Sequence, residues 1–252
     1  MNEEKLNKGV YEGEYNMFAL PIFLKDYTFE SIWLSVTSVF KKPTIESKAF
    51  ERYIAYANNI DLFSDAKTAS NVFDLQRAIF NSDGLKRPFN EFVEIAKSIN
   101  KNYNTTWLKV EQDTAVNVYN SAKRWEAIKD TKKEYPYLRY QTVEDGNVRP
   151  LHAAWNGIVK HVNDPWWNTH MPPNDWNCRC RVVRVKRGKN TDLKQHLKEF
   201  NNSNETDLTS LNNDSNIFDV NFGKVNYIFG NKHPYFKLAR KLKINSNRFV
   251  RF

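Results

Sequence analysis

Cysteine is scarce in this chain, which has only Cys178 and Cys180 among its 252 residues. Two cysteines cannot build a disulfide scaffold, and so low a count is typical of proteins made inside the cell. Long apolar runs are also missing, since no stretch approaches the roughly 18–20 residues that a membrane-spanning helix needs. The N-terminus, Met1-Asn-Glu-Glu-Lys5, lacks the basic and apolar regions of a secretory signal. We therefore expect no disulfide framework, no membrane partner and no secretion.

The rest of the composition is that of a globular protein. Hydrophobic residues make up 40% of the chain and aromatic residues 14%, which is enough to bury a core in one large or two small domains. Before residue 135, apolar residues recur at helical spacing in separate stripes, which predicts helices that pack on one another. These stripes lie at residues 32–40, 50–57, 72–80, 89–96 and 108–125.

The sequence pattern changes at Tyr135-Pro136. Alternating β-forming residues beyond this point predict strands at 137–143 and 178–185. We also expect short helices at 151–159 and 194–200, a surface loop at 201–216, and a strand or hairpin at 218–229. The predicted fold class is α+β. A helical N-terminal region, residues 1–134, precedes a smaller α+β domain with a short sheet and a basic tail, residues 135–252.

The net charge of +9 comes entirely from the C-terminal part of the chain. Residues 1–134 contain equal numbers of basic and acidic residues, whereas residues 135–252 contain 19 basic and 10 acidic residues. Clustered positive charge fits a polyanion such as DNA, and a solvated face or a docking surface for an acidic protein fits equally well. The candidate DNA-contact residues are Arg184, Lys186, Arg187, Lys189, Lys237, Arg240, Lys241 and Lys243, and Arg179, Arg181, Arg248 and Arg251 complete the two clusters.

Rare residue types concentrate between Arg149 and Cys180. This stretch holds both cysteines, three of the five histidines and four of the seven tryptophans. Much of it, from Asn163 to Asn177, has neither helical nor strand periodicity. Such a segment must be held in shape by its own side chains, and a functional site is best sought there.

The two cysteines allow a metal site or a simple packing role. On a strand, Cys178 and Cys180 face the same side with Cα atoms about 6.6 Å apart, which suits a disulfide poorly. Two thiolates with His152, His161 or His170 could bind zinc, although the spacing is not that of a zinc finger. We expect instead that both cysteines are small buried residues, that His152 hydrogen-bonds to the loop, and that no cofactor is bound.

Charged residues of the same stretch also allow two interpretations. His152 could act as a general acid or base while Arg149 and Arg179 hold a phosphate. The alternative, which we expect, is a buried network of Asp145, Arg149, His152 and Arg179 that clamps the loop. Loss of one partner of such a network costs about 3–5 kcal/mol.

The tryptophans could stack on nucleic-acid bases or pack on one another. Aromatic side chains of single-strand binding proteins stack on successive bases. In a proline-rich loop, however, a local core of tryptophans can replace missing secondary structure. We expect this local core to form from Trp155, Trp166, Trp167 and Trp176.

The order of these residues resembles a known family. The pattern runs from Asp145-Gly-Asn-Val-Arg-Pro-Leu-His152, through Gly157 and Asp164-Pro-Trp166, to Pro172-Pro-Asn-Asp-Trp-Asn-Cys-Arg-Cys180. It is similar to the phage Mu F-like head morphogenesis family over about residues 110–186, and more weakly at Asn221-Phe-Gly223 and His233-Pro-Tyr235. The motif residues are Asp145, Arg149, His152, Trp166, Pro172, Pro173, Trp176, Cys178, Arg179 and Cys180.

The resemblance implies a minor capsid protein of a tailed phage or prophage. Such a protein is made in the bacterial cytoplasm and ends in the phage head, with the portal protein, other capsid components and packaged double-stranded DNA as partners. It implies no catalysed reaction. Because some relatives carry toxin or nuclease domains, the alternative is a toxin-like enzyme acting on nucleotides or nucleic acid through His152 with Arg149 and Arg179.

Overall fold

A computed structural model describes residues 1–204 and 217–244. The chain divides into two compact units: Met1–Val116 with the described residues from Tyr227 onward, and Asn117–Asn226. These bounds differ from those of the predicted domains, 1–134 and 135–252, and that division stays a prediction. Most of the predicted loop at 201–216, and the tail residues Arg248 and Arg251, lie outside the described residues.

The described residues form eight α-helices and three β-strands, which confirms the α+β class and the helical N-terminal part. None of these helices is long and apolar enough to cross a membrane. The elements are α1 (Glu3–Glu12), α2 (Ile22–Val39), α3 (Lys48–Ala78), α4 (Phe89–Lys101), α5 (Trp107–Asp130), β1 (Tyr137–Gln141), α6 (Pro150–Ala154), β2 (Val159–His161), β3 (Arg181–Val185), α7 (Leu193–Asn204) and α8 (Pro234–Lys241).

Helix α3 is the centre of the first unit. Helices α1, α2, α4 and α8 all pack against it, so its middle is buried on every side. The two apolar stripes at 50–57 and 72–80 were expected to be separate helices, and this was wrong. The buried turns between them carry polar residues such as Ser64 and Lys67, which interrupt the apolar pattern without interrupting the helix.

Two short helices of this unit were not predicted, and their ends explain where they lie. Helix α1 begins after Asn2, whose side chain accepts a hydrogen bond from the backbone N–H of Lys5 at 3.0 Å. It ends at Gly13, where a φ of 86° requires the left-handed conformation that glycine adopts readily. Helix α8 begins after His233, whose ring accepts a hydrogen bond from the backbone N–H of Tyr235.

A small antiparallel sheet organises the second unit. Its strand order is β2-β1-β3, with Tyr137 opposite His161 and Arg139 opposite Val183. Leu138 on the central strand is fully buried. The core around it consists of Trp125, Ile128, Leu138, Tyr140, Trp155, Ile158, Val162, Trp167, Met171 and Val182.

Several element bounds of this unit need correction. The third strand begins at Arg181 and not at Cys178, so both cysteines lie in the loop before it. The helix expected at 151–159 ends at Ala154, and Val159 already belongs to β2. The strand or hairpin expected at 218–229 was wrong, since this described stretch contains a 3₁₀ turn at Phe222–Lys224 instead.

A buried ion pair joins α3 to α5 in the first unit. The ammonium of Lys67 binds the carboxylate of Glu111, and these residues are 1% and 3% exposed. Burial lowers the pKa of Lys67 and raises that of Glu111, and each partner opposes the effect on the other. Glu111 also accepts a hydrogen bond from Tyr235. Each charge therefore depends on the other for its main compensation.

Substitution Lys67→Met should destabilise the first unit strongly. Removing one partner of a buried pair leaves an uncompensated charge and costs about 3–5 kcal/mol. The matched control is Lys109→Met on α5, because the pair of Lys109 with Asp113 is exposed and should contribute little. Chemical denaturation monitored by circular dichroism compares the two variants. Equal midpoints for both would show that the buried pair does not stabilise the fold.

Gly223→Ala should destabilise the second unit. A β-carbon at this position would overlap the side chain of Trp125 in the core. Overpacking of this kind costs about 1–3 kcal/mol. At Gly146 an added β-carbon meets nothing within 4 Å, so Gly146→Ala is the control and should leave the melting temperature near that of the wild type. A Gly223→Ala protein with the same melting temperature as the control would contradict the close contact between Gly223 and Trp125.

Candidate functional site

One imidazole faces both sulfurs of the chain. His152 lies on α6, and its Nδ1 atom is 3.9 Å from the Sγ of Cys178 and 3.8 Å from the Sγ of Cys180. His152 is 3% exposed and Cys178 is 6% exposed. We refer to these three residues as the Cys–His cluster. The loop before β3 thus brings both cysteines close to α6, the helix that follows the turn at 145–149.

Neighbouring groups hold this cluster in place. The ring of His152 stacks on Trp155, with centroids 5.2 Å apart and planes 21° apart. Hydrogen bonding from Cys180, opposed by burial, holds the pKa of Cys178 well below its usual value, and His152 and the backbone N–H of Asn174 act in the same direction. The bond to Cys178 correspondingly raises the pKa of Cys180. The imidazole and the two sulfurs therefore form one hydrogen-bonded group.

The other two histidines of the stretch lie elsewhere. His161 is on β2, where its ring packs edge-on against Tyr137 and its Nδ1 accepts a hydrogen bond from the N–H of Asn163. His170 stacks on Trp166 at 4.3 Å, and burial lowers its pKa. Of the three histidines that could accompany the cysteines, the structure brings only His152 to the sulfurs.

The arginines form two separate ion pairs at the edge of this site. Arg179 binds Asp145 through its two terminal guanidinium nitrogens, Nη1 and Nη2, at 2.5 and 2.8 Å. Arg149 binds Asp175 at 2.7 Å and donates to the backbone carbonyl of Trp176 at 2.8 Å.

The expectation of one buried network was wrong. The side chains of Arg149, Arg179 and Asp145 are between 41% and 49% exposed. The carboxylate partner of Arg149 is Asp175, which sequence reasoning missed. Exposed ion pairs contribute little to stability, so the cost expected for a buried network does not apply here. The pairs instead tie the turn before α6 to the loop before β3.

The tryptophans form a local core, with one exception. Trp166 packs against Trp167 at 4.8 Å and against Trp155 at 6.4 Å, and His170 lies against both Trp155 and Trp166. Trp176 packs on Phe218 instead, 5.2 Å away. One face of Trp155 is covered by His152 and one face of Trp166 by His170, so these two faces are not presented to bases.

Asn174 is another buried residue that sequence reasoning missed. Its side chain is 1% exposed, accepts a hydrogen bond from the hydroxyl of Tyr140 at 3.1 Å, and donates to the carbonyl of Thr169 at 3.1 Å. The preceding residues, Pro172 and Pro173, are buried, and the carbonyl of Pro172 accepts a hydrogen bond from Ser121 on α5. The Pro-Pro-Asn part of the motif therefore fastens the loop to the sheet and to α5.

A basic cleft of about 530 Å³ opens beside the Cys–His cluster. None of the described residues that line it is acidic, and Arg124 has its pKa lowered by burial and by the positive charge of Arg181. Positive charge on a cleft without acidic lining residues favours an anion. The lining residues are Asn117, Asn120, Lys123, Arg124, Ala127, Pro172, Pro173, Cys178, Arg179, Cys180 and Arg181.

Sequence reasoning missed this cleft, although a signal for it exists. Asn117, Asn120, Arg124 and Ala127 follow one another at helical spacing on α5. They form a mostly polar face, distinct from the buried stripe that contains Trp125. The cleft has one wall from α5 and one from residues 172–173 and 178–181. Only the second wall contains residues of a basic cluster that the sequence identifies.

The candidate DNA-contact residues are all exposed but lie in different units. Arg184, Lys186, Arg187 and Lys189 follow one another on β3 and the turn after it, in the second unit. Lys186 pairs with Glu134 at 3.0 Å, and Arg184 packs over the ring of Tyr135. The candidate DNA-contact residues of the first unit lie on α8 or just after it. They are Lys237, Arg240, Lys241 and Lys243.

Comparison with known proteins finds a family whose model matches the part of the chain that contains this site. The family model described as "Phage Mu protein F like protein" matches residues 85–183. The chain is 36% identical over 100 residues to "Putative capsid assembly protein F" of Escherichia phage Mu, covering 38% of this chain and 23% of that protein. It is 40% identical over 77 residues to "Mu-like prophage FluMu F protein" of Haemophilus influenzae, covering 31% of this chain and 18% of that protein.

The chain thus spans less than a quarter of the length of these relatives. No solved structure matches the chain significantly. The matched region contains the whole motif from Asp145 to Cys180 and helix α5 before it. The resemblance that the motif predicts is therefore confirmed, and residues 85–183 of this chain are a phage Mu F-like region.

Proposed function

We propose that this chain is a non-enzymatic minor capsid protein that acts in head assembly of a tailed phage or prophage. The observation that carries the proposal is the Mu F-like region at residues 85–183, together with a relative named as a capsid assembly protein. The chain is made in the bacterial cytoplasm and becomes part of the phage head. Its protein partners are the portal protein and other capsid components.

The motif residues serve this function by fixing the shape of the second unit. His152 and the cysteines join α6 to the loop before β3, and the two arginine–aspartate pairs fasten the same two segments at the surface. Trp166, Trp176 and the buried prolines hold the loop between them. Rigid presentation of a loop surface suits a protein whose task is to assemble with others.

The contacts of His152 support this role over catalysis. A general acid or base must reach a proton of the substrate, and His152 is buried with its Nδ1 directed at two sulfurs. Arg149 and Arg179, which would hold a phosphate in the enzymatic alternative, are bound by Asp175 and Asp145. We therefore propose no reaction for this constellation.

Packaged double-stranded DNA is the proposed nucleic-acid partner. The basic cleft and the exposed residues at 184–189 supply positive charge within one unit, which suits contacts to phosphates that do not depend on base sequence. The basic residues of α8 add a second positively charged surface.

The chain should be found in purified phage particles in few copies. Mass spectrometry of particles, with this chain quantified against the major capsid protein and the portal protein, measures this directly. The proposal predicts a ratio to the capsid protein far below one and co-purification with portal-containing complexes. Particles that are complete and infectious but lack this chain would contradict the assembly role.

Binding to duplex DNA should weaken steeply with salt and be indifferent to base sequence. Each phosphate contact contributes about 0.9 to the slope of log affinity against log salt concentration. Replacing both Arg187 and Lys189 by Ala should therefore reduce the magnitude of this negative slope by up to about 1.8. Replacing both Arg124 and Arg181 by Ala tests the cleft in the same way.

The control for this experiment removes the same charge from another surface. Lys41 and Lys42 are exposed in the first unit, outside the basic clusters, and their replacement by Ala should leave the slope unchanged. Fluorescence anisotropy with labelled duplexes of two unrelated sequences provides the measurement. A wild-type protein that does not bind at low salt would remove DNA from the proposed partners.

A further inference from the structure

The Cys–His cluster has nearly the dimensions of a metal site. The candidate ligand atoms of Cys178, Cys180 and His152 all lie within 4.8 Å of one another. In tetrahedral zinc sites, bond lengths of about 2.3 Å to sulfur and about 2.0 Å to nitrogen place a sulfur and a nitrogen ligand roughly 3.6 Å apart. The sulfur-to-nitrogen distances of 3.8 and 3.9 Å exceed that value only slightly. A shift of a few tenths of an ångström would bring each sulfur-to-nitrogen pair to this separation.

A small cavity lies next to these atoms. It has a volume of about 20 Å³ and is lined by all three residues of the cluster together with Val143, Asn147, Val148, Arg149, Asn177 and Arg179. A volume of about 10–15 Å³ is enough for one water molecule. The cavity therefore has room for a water that completes a coordination sphere of three protein ligands.

We propose that Cys178, Cys180 and His152 bind one zinc ion, with water as the fourth ligand. The donor set selects the metal. Two thiolates and an imidazole suit zinc, whereas magnesium and calcium require oxygen ligands. Among the described residues the cluster has no fourth histidine, cysteine or carboxylate ligand, which leaves this position to solvent.

The charge of the surroundings suits the ion. Two thiolates balance the charge of Zn²⁺, so the bound site is neutral. The nearby guanidinium groups of Arg149 and Arg179 are each paired with a carboxylate, so they present little net positive charge to the cation. The backbone N–H of Asn174 donates to the sulfur of Cys178 and orients it.

Zinc would connect segments that few backbone hydrogen bonds join. His152 is separated from Cys178 by 26 residues and from Cys180 by 28. Binding to the folded state alone stabilises that state, and the free energy of metal binding adds to that of folding. The inference concerns the architecture of this unit and does not depend on the proposed capsid role.

The metal content of the purified full-length chain tests the proposal. Inductively coupled plasma mass spectrometry should find one zinc per chain, and the double variant Cys178→Ser with Cys180→Ser should contain none. His161→Gln is the matched control, because His161 lies outside the cluster, and this variant should keep its zinc. Zinc retained in the double variant would overturn the proposal.

A second measurement needs no variant. The wild-type protein, stripped of metal by a chelator and kept reduced, is titrated with cobalt(II). We expect thiolate-to-cobalt charge-transfer absorption and tetrahedral visible bands that saturate at one equivalent. Zinc should abolish these bands, slow alkylation of both cysteines by iodoacetamide and raise the melting temperature. A folded, stripped protein that shows no cobalt bands and unchanged alkylation with zinc would equally overturn the proposal.

Discussion

Packing around the indole of Trp166 is the interaction on which the second unit depends. The segment between β2 and β3 has no ladder of backbone hydrogen bonds, and only a short 3₁₀ turn at Pro165–Asn168 interrupts its irregular course. His170 stacks on one face of Trp166, and Trp155 and Tyr140 pack against it in T-shaped contacts. Aromatic contacts of this kind contribute beyond the area that they bury. The loop is therefore a small core of its own.

The candidate site is built outward from this packing. The ring of His152 stacks on Trp155, and the two sulfurs of the loop before β3 lie close to the Nδ1 of His152. The same loop supplies Pro172 and Pro173 to one wall of the basic cleft, and α5 supplies the other wall. One packing arrangement thus positions both the Cys–His cluster and the surface proposed to meet DNA.

Sequence periodicity predicted those helices whose buried face is mostly apolar. Helix α4 is an example, since Phe92 and Ala96 form most of its buried side and Asn100 is the one polar residue there. The same reasoning divided α3 in two, because a helix surrounded by other helices buries polar residues such as Ser64 and Lys67 that hydrogen-bond internally. Strand β2 has only three residues, too few for any alternation to be visible.

The motif located the site, but residue spacing could not predict its pairings. Arg149 has several acidic residues within reach in sequence, and only the path of the loop decides that Asp175 is its partner. The same holds for the choice of His152 over His161 and His170. The basic cleft was missed because half of it comes from a helix whose polar face is also typical of solvent exposure.

Hydrogen exchange across residues 164–178 tests most directly that side-chain packing holds this segment. The amides of Trp167, His170 and Cys178 donate to backbone carbonyls within the loop. The account predicts that these amides are protected to a degree comparable with those of β1, because they open only when the aromatic core opens. Exchange at the rate of an unstructured peptide, while β1 stays protected, would contradict it.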